Sequence, residues 1–217
     1  ISHELRTPLP AIIGFADIMQ AQVENIQQKV YMHEIKNAGW ELTEIVNSMI
    51  DMVAVETNTF QINPEFVDIS EIITKSVSAY RGKAKQAGIT IDTKKSLTYR
   101  FKLDPVKISQ VVGRIIDNAI NFSHFGDTVY VSSERIKEGL KISIQDYGDG
   151  MTSSDIEKAL EPFRQVDGSF SKENNGIGVG LFLSKLFVEL HGGTMEIISK
   201  QGSGTNIKIL IPEKGVN

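Results

Sequence analysis

Two apolar stripes at helical spacing open the chain. Apolar residues separated by alternating steps of four and three predict one face of an amphipathic helix. The first stripe consists of Leu5, Leu9, Ile12, Ala16, Met19 and Val23. The second consists of Ile35, Ala38, Leu42, Ile45, Met49 and Met52, widened by Val46, Ile50 and Val53. Only the polar stretch 24–28 separates them, so the two helices should form an antiparallel hairpin.

A helical hairpin has too little surface to bury both stripes by itself. We therefore predict a homodimer in which four helices, two from each chain, form one bundle. The pattern leaves a second interpretation open, in which the hairpin packs on another domain of its own chain. The helical spacing ends after Glu56-Thr57-Asn58-Thr59, so we place the domain boundary there, with domains at 1–59 and 60–217.

The second domain alternates between strand and helix patterns. Asp68 or Ser70, and the pair Asp104-Pro105, are typical helix starts, because a side-chain oxygen caps the first turn and proline fits at its first position. The predicted elements are a helix ending near 86, strands 89–91 and 99–103, helix 105–122, strands 129–133 and 140–146, helices 153–160 and 178–190, and strands 194–199 and 205–211. This order predicts an α+β sandwich in which one mixed sheet lies under helices.

Composition and charge exclude several classes of protein. With 41% hydrophobic and 23% charged residues the chain is globular, and its net charge of −4 gives no basic footprint, so we predict no nucleic-acid partner. Cysteine is absent, which excludes a disulfide framework and is compatible with a reducing cytosol, where we expect this fragment to lie. No apolar run reaches the roughly 18 residues of a membrane span. Because Ile1 lies inside a helix pattern, we expect a longer protein whose membrane contact, if any, lies outside this fragment.

The first helix begins with a cluster suited to phosphoryl chemistry. His3 is followed at once by Glu4 and four positions later by Thr7, and residues four apart share a helix face. An imidazole ring nitrogen can accept a phosphoryl group while the neighbouring acid holds the proton of the opposite nitrogen. Such an acceptor requires a phosphoryl donor elsewhere in the chain.

The helix 105–122 carries the first candidate donor cluster. Arg114, Asn118 and Asn121 are spaced so that they share one face of this helix. An asparagine carbonyl is a hard oxygen ligand that suits a Mg²⁺ ion bound together with phosphates. Exposed asparagines are common on helices, so this cluster alone is weak.

Three glycine-containing clusters follow. Asp146 ends a strand and can accept a hydrogen bond from an adenine amino group, while Gly148 and Gly150 let the backbone approach the base. The run 176–181, GIGVGL, opens a helix whose free amides and dipole favour phosphate. The run 202–205, GSGT, predicts a tight turn with a minor contact role.

The order of these motifs resembles the sensor histidine kinases of two-component systems over essentially the whole chain. The matching segments are ISHELRTPL for the H-box, RIIDNAINFS for the N-box, DYGDGM for the G1 box, EPFRQVD for the F-box and GIGVGLFLSK for the G2 box. The run PAIIGFADIM is also similar to kinases of the PleC/DivJ type. The resemblance implies a dimerisation and phosphotransfer hairpin followed by a Bergerat-type ATP-binding domain.

The resemblance also implies a reaction and its partners. An ATP-dependent kinase of this family phosphorylates its own histidine and passes the phosphoryl group to an aspartate of a response regulator receiver domain, and it also acts as a phosphatase. The cofactors implied are ATP and Mg²⁺, and the chain is expected to work as a homodimer.

Roles follow residue by residue from the same resemblance. His3 matches the phosphorylated histidine, Glu4 the general base and Thr7 the position that orients water in hydrolysis. The nucleotide-binding positions are Asn118 as Mg²⁺ ligand, Asp146 as reader of the adenine amino group, Gly148, Gly150, Gly176, Gly178, Gly180 and Leu181 around nucleotide and lid, Phe163 as the F-box aromatic, Arg164 and Lys172 as lid cations, and Thr205 as a minor contact.

Two positions depart from the family pattern. Arg114 replaces a frequent asparagine, and Asn121 stands where a phosphate-binding cation is usual. One interpretation is an exchange of roles, with Arg114 on phosphate and Asn121 assisting the metal. The other is weakened ATP use, which would leave a phosphatase-biased or non-catalytic dimeric scaffold that docks a receiver domain. We favour a retained kinase because Asp146 and Asn118 are intact.

The remaining histidines carry no motif. His33, His124 and His191 are isolated along the sequence. We expect each of them at the surface or at a helix end rather than as a ligand.

Overall fold

The computed structural model describes residues 8–57, 59–93, 99–164 and 178–213, without the side chain of Glu41. The residues His3, Glu4, Thr7, Lys172 and Gly176 lie outside the described residues. The chain forms two compact units, 1–61 and 62–217.

The first unit contains an antiparallel helical hairpin, as predicted. Helix α1 is Pro8–Gln22 and helix α2 is Ile26–Glu56. Asn25 caps α2, because its Oδ1 accepts hydrogen bonds from the backbone N–H groups of Gln27 and Gln28 at 2.9 and 3.2 Å. The second helix therefore begins inside the polar stretch that the sequence suggested as a connection.

The hairpin buries a different stripe from the one that the sequence pattern suggests, with Ile13 buried in place of Ile12. Leu9, Ile13 and Ala16 of α1 are buried, and the backbone of Gly39 on α2 packs so closely that an added Cβ would lie 2.8 Å from Ile13 Cγ1. The exposed apolar residues include Ile12, Phe15, Ile18, Met19, Ile35, Leu42, Met49 and Val53. An apolar face of this kind is typical of a surface that binds a partner, and the homodimer stays a prediction.

The second unit contains the mixed sheet that the sequence predicts. Its elements are β1 Glu65–Asp68, α3 Ile69–Gln86, β2 Thr90–Thr93, β3 Arg100–Leu103, α4 Pro105–Phe122, β4 Thr128–Ile136, β5 Gly139–Gln145, α5 Ser153–Ala159, α6 Gly180–Leu190, β6 Thr194–Ser199 and β7 Thr205–Pro212. The sheet has the order β2-β4-β5-β7-β6, in which β2 is parallel to β4 and the other neighbours are antiparallel. Strands β1 and β3 form a separate antiparallel pair.

Helices α3, α4 and α6 pack against this sheet, which confirms the α+β sandwich. Alternate residues of the central strands face the helices and are buried, including Val129 and Val131 of β4 and Ile142 and Ile144 of β5. Both predicted caps form: Asp68 Oδ1 accepts from Ser70 N at 2.8 Å, and Asp104 caps α4. Among the described residues, no helix is long and apolar enough to cross a membrane.

The side chain of Asp104 ties the start of α4 to an earlier segment. Its Oδ1 accepts from the backbone N–H groups of Val106 and Lys107, both at 3.0 Å, and its Oδ2 accepts from Asn63 N at 2.9 Å. Asp104 itself is buried, and these three bonds satisfy its carboxylate there.

His191 holds the end of α6 against the same residue. The ring is fully buried, and its Nε2 accepts from Asp104 N at 3.0 Å while its Nδ1 lies 2.6 Å from Phe187 O. A carbonyl can only accept, so Nδ1 carries the proton and the ring is the neutral tautomer. The expectation that His191 lies at the surface or at a helix end is confirmed, since it caps the end of α6.

Replacing His191 should therefore destabilise the second unit. In His191→Ala the buried Asp104 N–H loses its partner, and an unsatisfied buried donor costs about 1–3 kcal/mol. The Phe187 carbonyl keeps its bond from the backbone N–H of residue 191 at 3.3 Å. The exposed His33 of α2 supplies the control, since surface substitutions stay within about 0.5 kcal/mol. Urea unfolding followed by circular dichroism measures both variants. Equal stability of His191→Ala and His33→Ala would contradict this role.

Candidate functional site

The candidate site lies where the end of α4 meets the turn that follows β5. A Cβ added to Gly148 would lie 1.8 Å from Phe122 O, at the last residue of α4, and Asp149 N donates to the same carbonyl at 3.1 Å. Only glycine allows this approach. The contact fixes the Asp146–Gly150 turn against the helix that carries Asn118.

Asp146 is the buried carboxylate of this site. It follows β5 directly and is only 7% exposed. Its Oδ1 accepts from Gly148 N at 3.1 Å and from Thr205 N at 3.0 Å. Both of these hydrogen bonds go to Oδ1, so Oδ2 is the oxygen that can accept from a donor group of a ligand.

Burial raises the pKa of Asp146, and the nearby Asp127 carboxylate raises it further, while the hydrogen bonds from Gly148 and Thr205 act in the opposite direction. A carboxyl with a raised pKa binds a proton more readily in the folded than in the unfolded chain. Its ionised form therefore costs stability once the pH rises through the folded pKa. A group retained at such a cost is a candidate for a ligand contact.

The turn 202–205 packs behind the Asp146–Gly150 turn. A Cβ added to Gly204 would lie 2.2 Å from Asp146 O, and one added to Gly150 would lie 2.1 Å from Lys200 O. Both glycines have positive φ, at 82° and 62°, which other residues adopt only with strain. Gly202 N also donates to Asp149 O at 2.6 Å. The two turns thus form one unit.

The three predicted site residues on the polar face of α4 have different surroundings. Asn118 is half-buried. The Arg114 guanidinium lies 5.7 Å from the ring centroid of Phe187 on α6. Asn121 Nδ2 donates to Asp117 Oδ2 at 3.3 Å, so this amide faces Asp117. The proposed exchange of roles between Arg114 and Asn121 stays a prediction.

Phe163 and Gly178 contact each other on either side of the segment 165–177, which lies outside the described residues. Phe163 N donates to Gly178 O at 3.1 Å, and a Cβ added to Gly178 would lie 2.3 Å from Arg164 O. Phe163 itself has a positive φ of 62° and is exposed. Arg164 pairs with Glu161 at 2.8 Å and keeps most of its side chain in solvent.

Helix α6 begins at Gly180, two residues after Gly178. Its N-cap residue is Val179, which makes no side-chain capping bond, and Leu181 follows as a half-buried residue of the first turn. Free amides at a helix N-terminus favour an anion such as phosphate. The position agrees with the predicted role of the glycine run, of which Gly176 is outside the described residues.

Ser199 is a site residue that no motif singled out. It ends β6, and its Oγ accepts from Met151 N at 2.8 Å, directly after the Asp146–Gly150 turn. A serine at a strand end is common, and Ser199 lies far from Met151 along the chain. The sequence pattern therefore does not indicate their contact. Thr205 supports Asp146 through its backbone N–H, and its minor contact with the nucleotide stays a prediction.

Two family descriptions match the chain. Residues 103–215 match "Histidine kinase-, DNA gyrase B-, and HSP90-like ATPase". Residues 1–58 match "His Kinase A (phospho-acceptor) domain", a range that includes His3.

Curated relatives and solved structures agree with these matches. The chain is 31% identical to an uncharacterized sensor-like histidine kinase of Rhizobium meliloti and 31% identical to the histidine protein kinase DivJ of Caulobacter vibrioides, each over 98% of this chain. It spans 41% and 36% of those proteins. The structure of Acinetobacter baumannii histidine kinase AdeS matches with a TM-score of 0.70, 22% identity and 99% of both chains covered. Full-length ShkA in complex with AMPPNP matches with a TM-score of 0.77 and 21% identity, over 99% of this chain and 46% of that one.

The ATPase match covers more than half of the chain, and the phospho-acceptor match covers most of what precedes it. The relation to DivJ agrees with the similarity of the run PAIIGFADIM, and the PleC/DivJ subtype stays a prediction. The fold, the buried Asp146 and both family matches lead to the same assignment. The chain belongs to the sensor histidine kinases, with a phospho-acceptor domain followed by an ATPase domain of the histidine kinase, DNA gyrase B and HSP90 type.

Proposed function

We propose that this chain is the catalytic core of an ATP-dependent protein histidine kinase that phosphorylates His3 and passes the phosphoryl group to an aspartate of a response regulator. The observation that carries the proposal is the buried Asp146, with Oδ1 saturated by backbone donors and Oδ2 left for a ligand. Its position beside the end of α4 supports a nucleotide pocket between that helix and the two glycine turns.

Asp146 would select adenine by its amino group. An ionised carboxylate only accepts hydrogen bonds, so it binds the exocyclic N–H of adenine and repels a carbonyl at the same place. Gly148 and Gly150 bring no side chains into this space. The free end of α6 at Gly180 would then receive phosphate.

Asn118 would hold Mg²⁺ through its side-chain oxygen. Within the described ranges no three His, Asp or Glu side chains are grouped to hold a metal. An ion at α4 would therefore take most of its ligands from phosphate and water, as Mg²⁺ commonly does. Bound there, the ion would neutralise charge on the phosphates during transfer. Arg164 and Lys172 are proposed to approach the γ-phosphate from the lid.

His3 supplies the nucleophile of the proposed reaction. One imidazole nitrogen attacks the γ-phosphorus, the bond to the bridging oxygen breaks, and ADP leaves with that electron pair. Glu4 accepts the proton of the opposite nitrogen, which keeps the ring nucleophilic. Thr7 is proposed to orient water in the reverse, phosphatase direction.

The exposed apolar residues of α1 and α2 support a homodimer as the working state. A receiver domain is the proposed second partner. The departures at Arg114 and Asn121 from the family pattern leave one alternative, a phosphatase-biased or non-catalytic nucleotide-binding scaffold that docks a receiver domain.

Autophosphorylation separates the kinase from the scaffold. With radiolabelled Mg-ATP the chain should gain acid-labile phosphate, and His3→Gln should lose it entirely, because the nucleophile is gone. His33→Gln, a change on α2, should keep it. Absence of phosphate in the unmodified chain, with ATP still bound, would favour the scaffold.

Asp146→Asn should separate nucleotide recognition from stability. The asparagine oxygen can keep the two backbone bonds, but an NH₂ group then replaces the free acceptor. ATP affinity should fall about tenfold or more, since hydrogen bonds to charged groups contribute about 1.5–3 kcal/mol. The melting temperature should stay equal or rise, because a buried charge is removed.

The control for this change is Asp92→Asn, an exposed carboxylate on β2. Calorimetric titration with Mg-ATP and a thermal melt compare the two variants. Unchanged ATP affinity in Asp146→Asn would contradict the adenine role.

Acid should weaken adenine recognition earlier than it would for an ordinary aspartate. The pKa of Asp146 is raised by burial, so its acceptor form is lost as the pH falls through a value above the usual aspartate value of about 3.9. The ratio of affinities for ATP and for the triphosphate of purine riboside, which lacks the amino group, cancels the titration of the phosphates. This ratio should decline on acidification while the chain is still folded. A constant ratio down to the unfolding pH would oppose the assignment.

A further inference from the structure

The hydroxyl of Ser199 contacts both glycine turns of the site. Its Oγ accepts from Met151 N at 2.8 Å, donates to Gly204 O at 2.9 Å and lies 2.9 Å from Thr205 Oγ1. Met151 directly follows the Asp146–Gly150 turn, and Gly204 and Thr205 belong to the turn 202–205. One side chain therefore links segments about fifty positions apart in the chain.

The proton of this hydroxyl has a single consistent placement. Gly204 O can only accept, so the Ser199 proton points at that carbonyl. The Ser199 oxygen then accepts from Met151 N–H and from the Thr205 hydroxyl, which uses both of its lone pairs. The group is saturated, and its orientation is fixed by three partners.

Thr205 passes this constraint to Asp146 through its backbone. Asp146 N donates to Thr205 O at 2.9 Å, and Thr205 N donates to Asp146 Oδ1 at 3.0 Å. Gly204 lies so close to Asp146 that a Cβ would meet its carbonyl oxygen at 2.2 Å. A shift of the 202–205 turn would therefore move the donor that holds Oδ1.

We propose that Ser199 is a positioning residue for the nucleotide: by fixing Thr205 and Met151 it holds the Asp146 carboxylate so that Oδ2 faces the adenine amino group. The proposal rests on the adenine role of Asp146. Without the Ser199 hydroxyl, Met151 N–H and Gly204 O lose a partner, and the Asp146 side chain gains freedom to rotate. The variant then loses affinity that comes from the adenine amino group and keeps affinity that comes from the phosphates.

The test uses the full 217-residue chain and two nucleotides, ATP and the triphosphate of purine riboside. The unmodified chain should prefer ATP about tenfold or more, because the second nucleotide lacks the donor to Asp146. Ser199→Ala should reduce this preference to less than about threefold, with affinity for the purine riboside nucleotide changed by less than about twofold. The matched control is Ser203→Ala, because Ser203 is an exposed serine of the turn 202–205. This variant should keep the full preference for ATP.

The outcomes are distinguishable. A chain that lacks any preference for ATP overturns the adenine role itself, and the positioning role with it. A clear preference that survives in Ser199→Ala overturns the positioning role alone. An equal loss of affinity for both nucleotides also overturns it, since that indicates general damage to the fold.

A second variant covers the case in which Ser199→Ala does not fold, as judged by its thermal melt. Thr205→Val removes the hydroxyl that bonds to Ser199 and keeps the backbone N–H that bonds to Asp146. The proposal predicts a reduced preference for ATP in this variant as well. An undiminished preference in Thr205→Val would overturn the proposal.

Discussion

The site depends on one buried carboxylate oxygen, Asp146 Oδ1, and the two backbone N–H groups that bind it. Gly148 supplies one donor from the same turn, and Thr205 supplies the other from a distant turn. The close approaches at Gly148, Gly150 and Gly204 are what allow these donors to reach the carboxylate. Burial raises the pKa of Asp146, so its ionised carboxylate lowers the stability of the folded chain. The same carboxylate is an acceptor for a ligand.

Helices α4 and α6 are connected by an interaction that does not involve this carboxylate. Asp104 and His191 connect the start of α4 to the end of α6 through a buried hydrogen bond. These two helices carry Asn118 and Gly180, which are the proposed metal and phosphate positions. A rigid connection between the helices lets the site keep its geometry although the segment 165–177 is inserted between its parts.

Much of the fold follows from local chemistry. The acids Asp68 and Asp104 cap their helices as predicted, because a side-chain oxygen next to a helix start binds free backbone N–H groups wherever it occurs. Strand alternation predicted β4 and β5. The Asp146–Gly150 motif also lay where the sequence placed it, at the end of a strand.

Other features depend on contacts between distant residues, which spacing does not encode. The spacing placed Ile12 in the apolar stripe, yet Ile13 is the buried residue, because it packs on Gly39 of the second helix. His191 is buried because Asp104, far away in the chain, offers it a backbone N–H. Ser199 joins two turns that become neighbours only in the folded sheet.

A crystal structure of the chain with a non-hydrolysable ATP analogue and Mg²⁺ tests the central claim most directly. The account predicts the adenine amino nitrogen about 2.7–3.2 Å from Asp146 Oδ2, with Oδ1 still bound to Gly148 N and Thr205 N. An adenine bound elsewhere, or an amino group more than about 3.5 Å from the carboxylate, would contradict it.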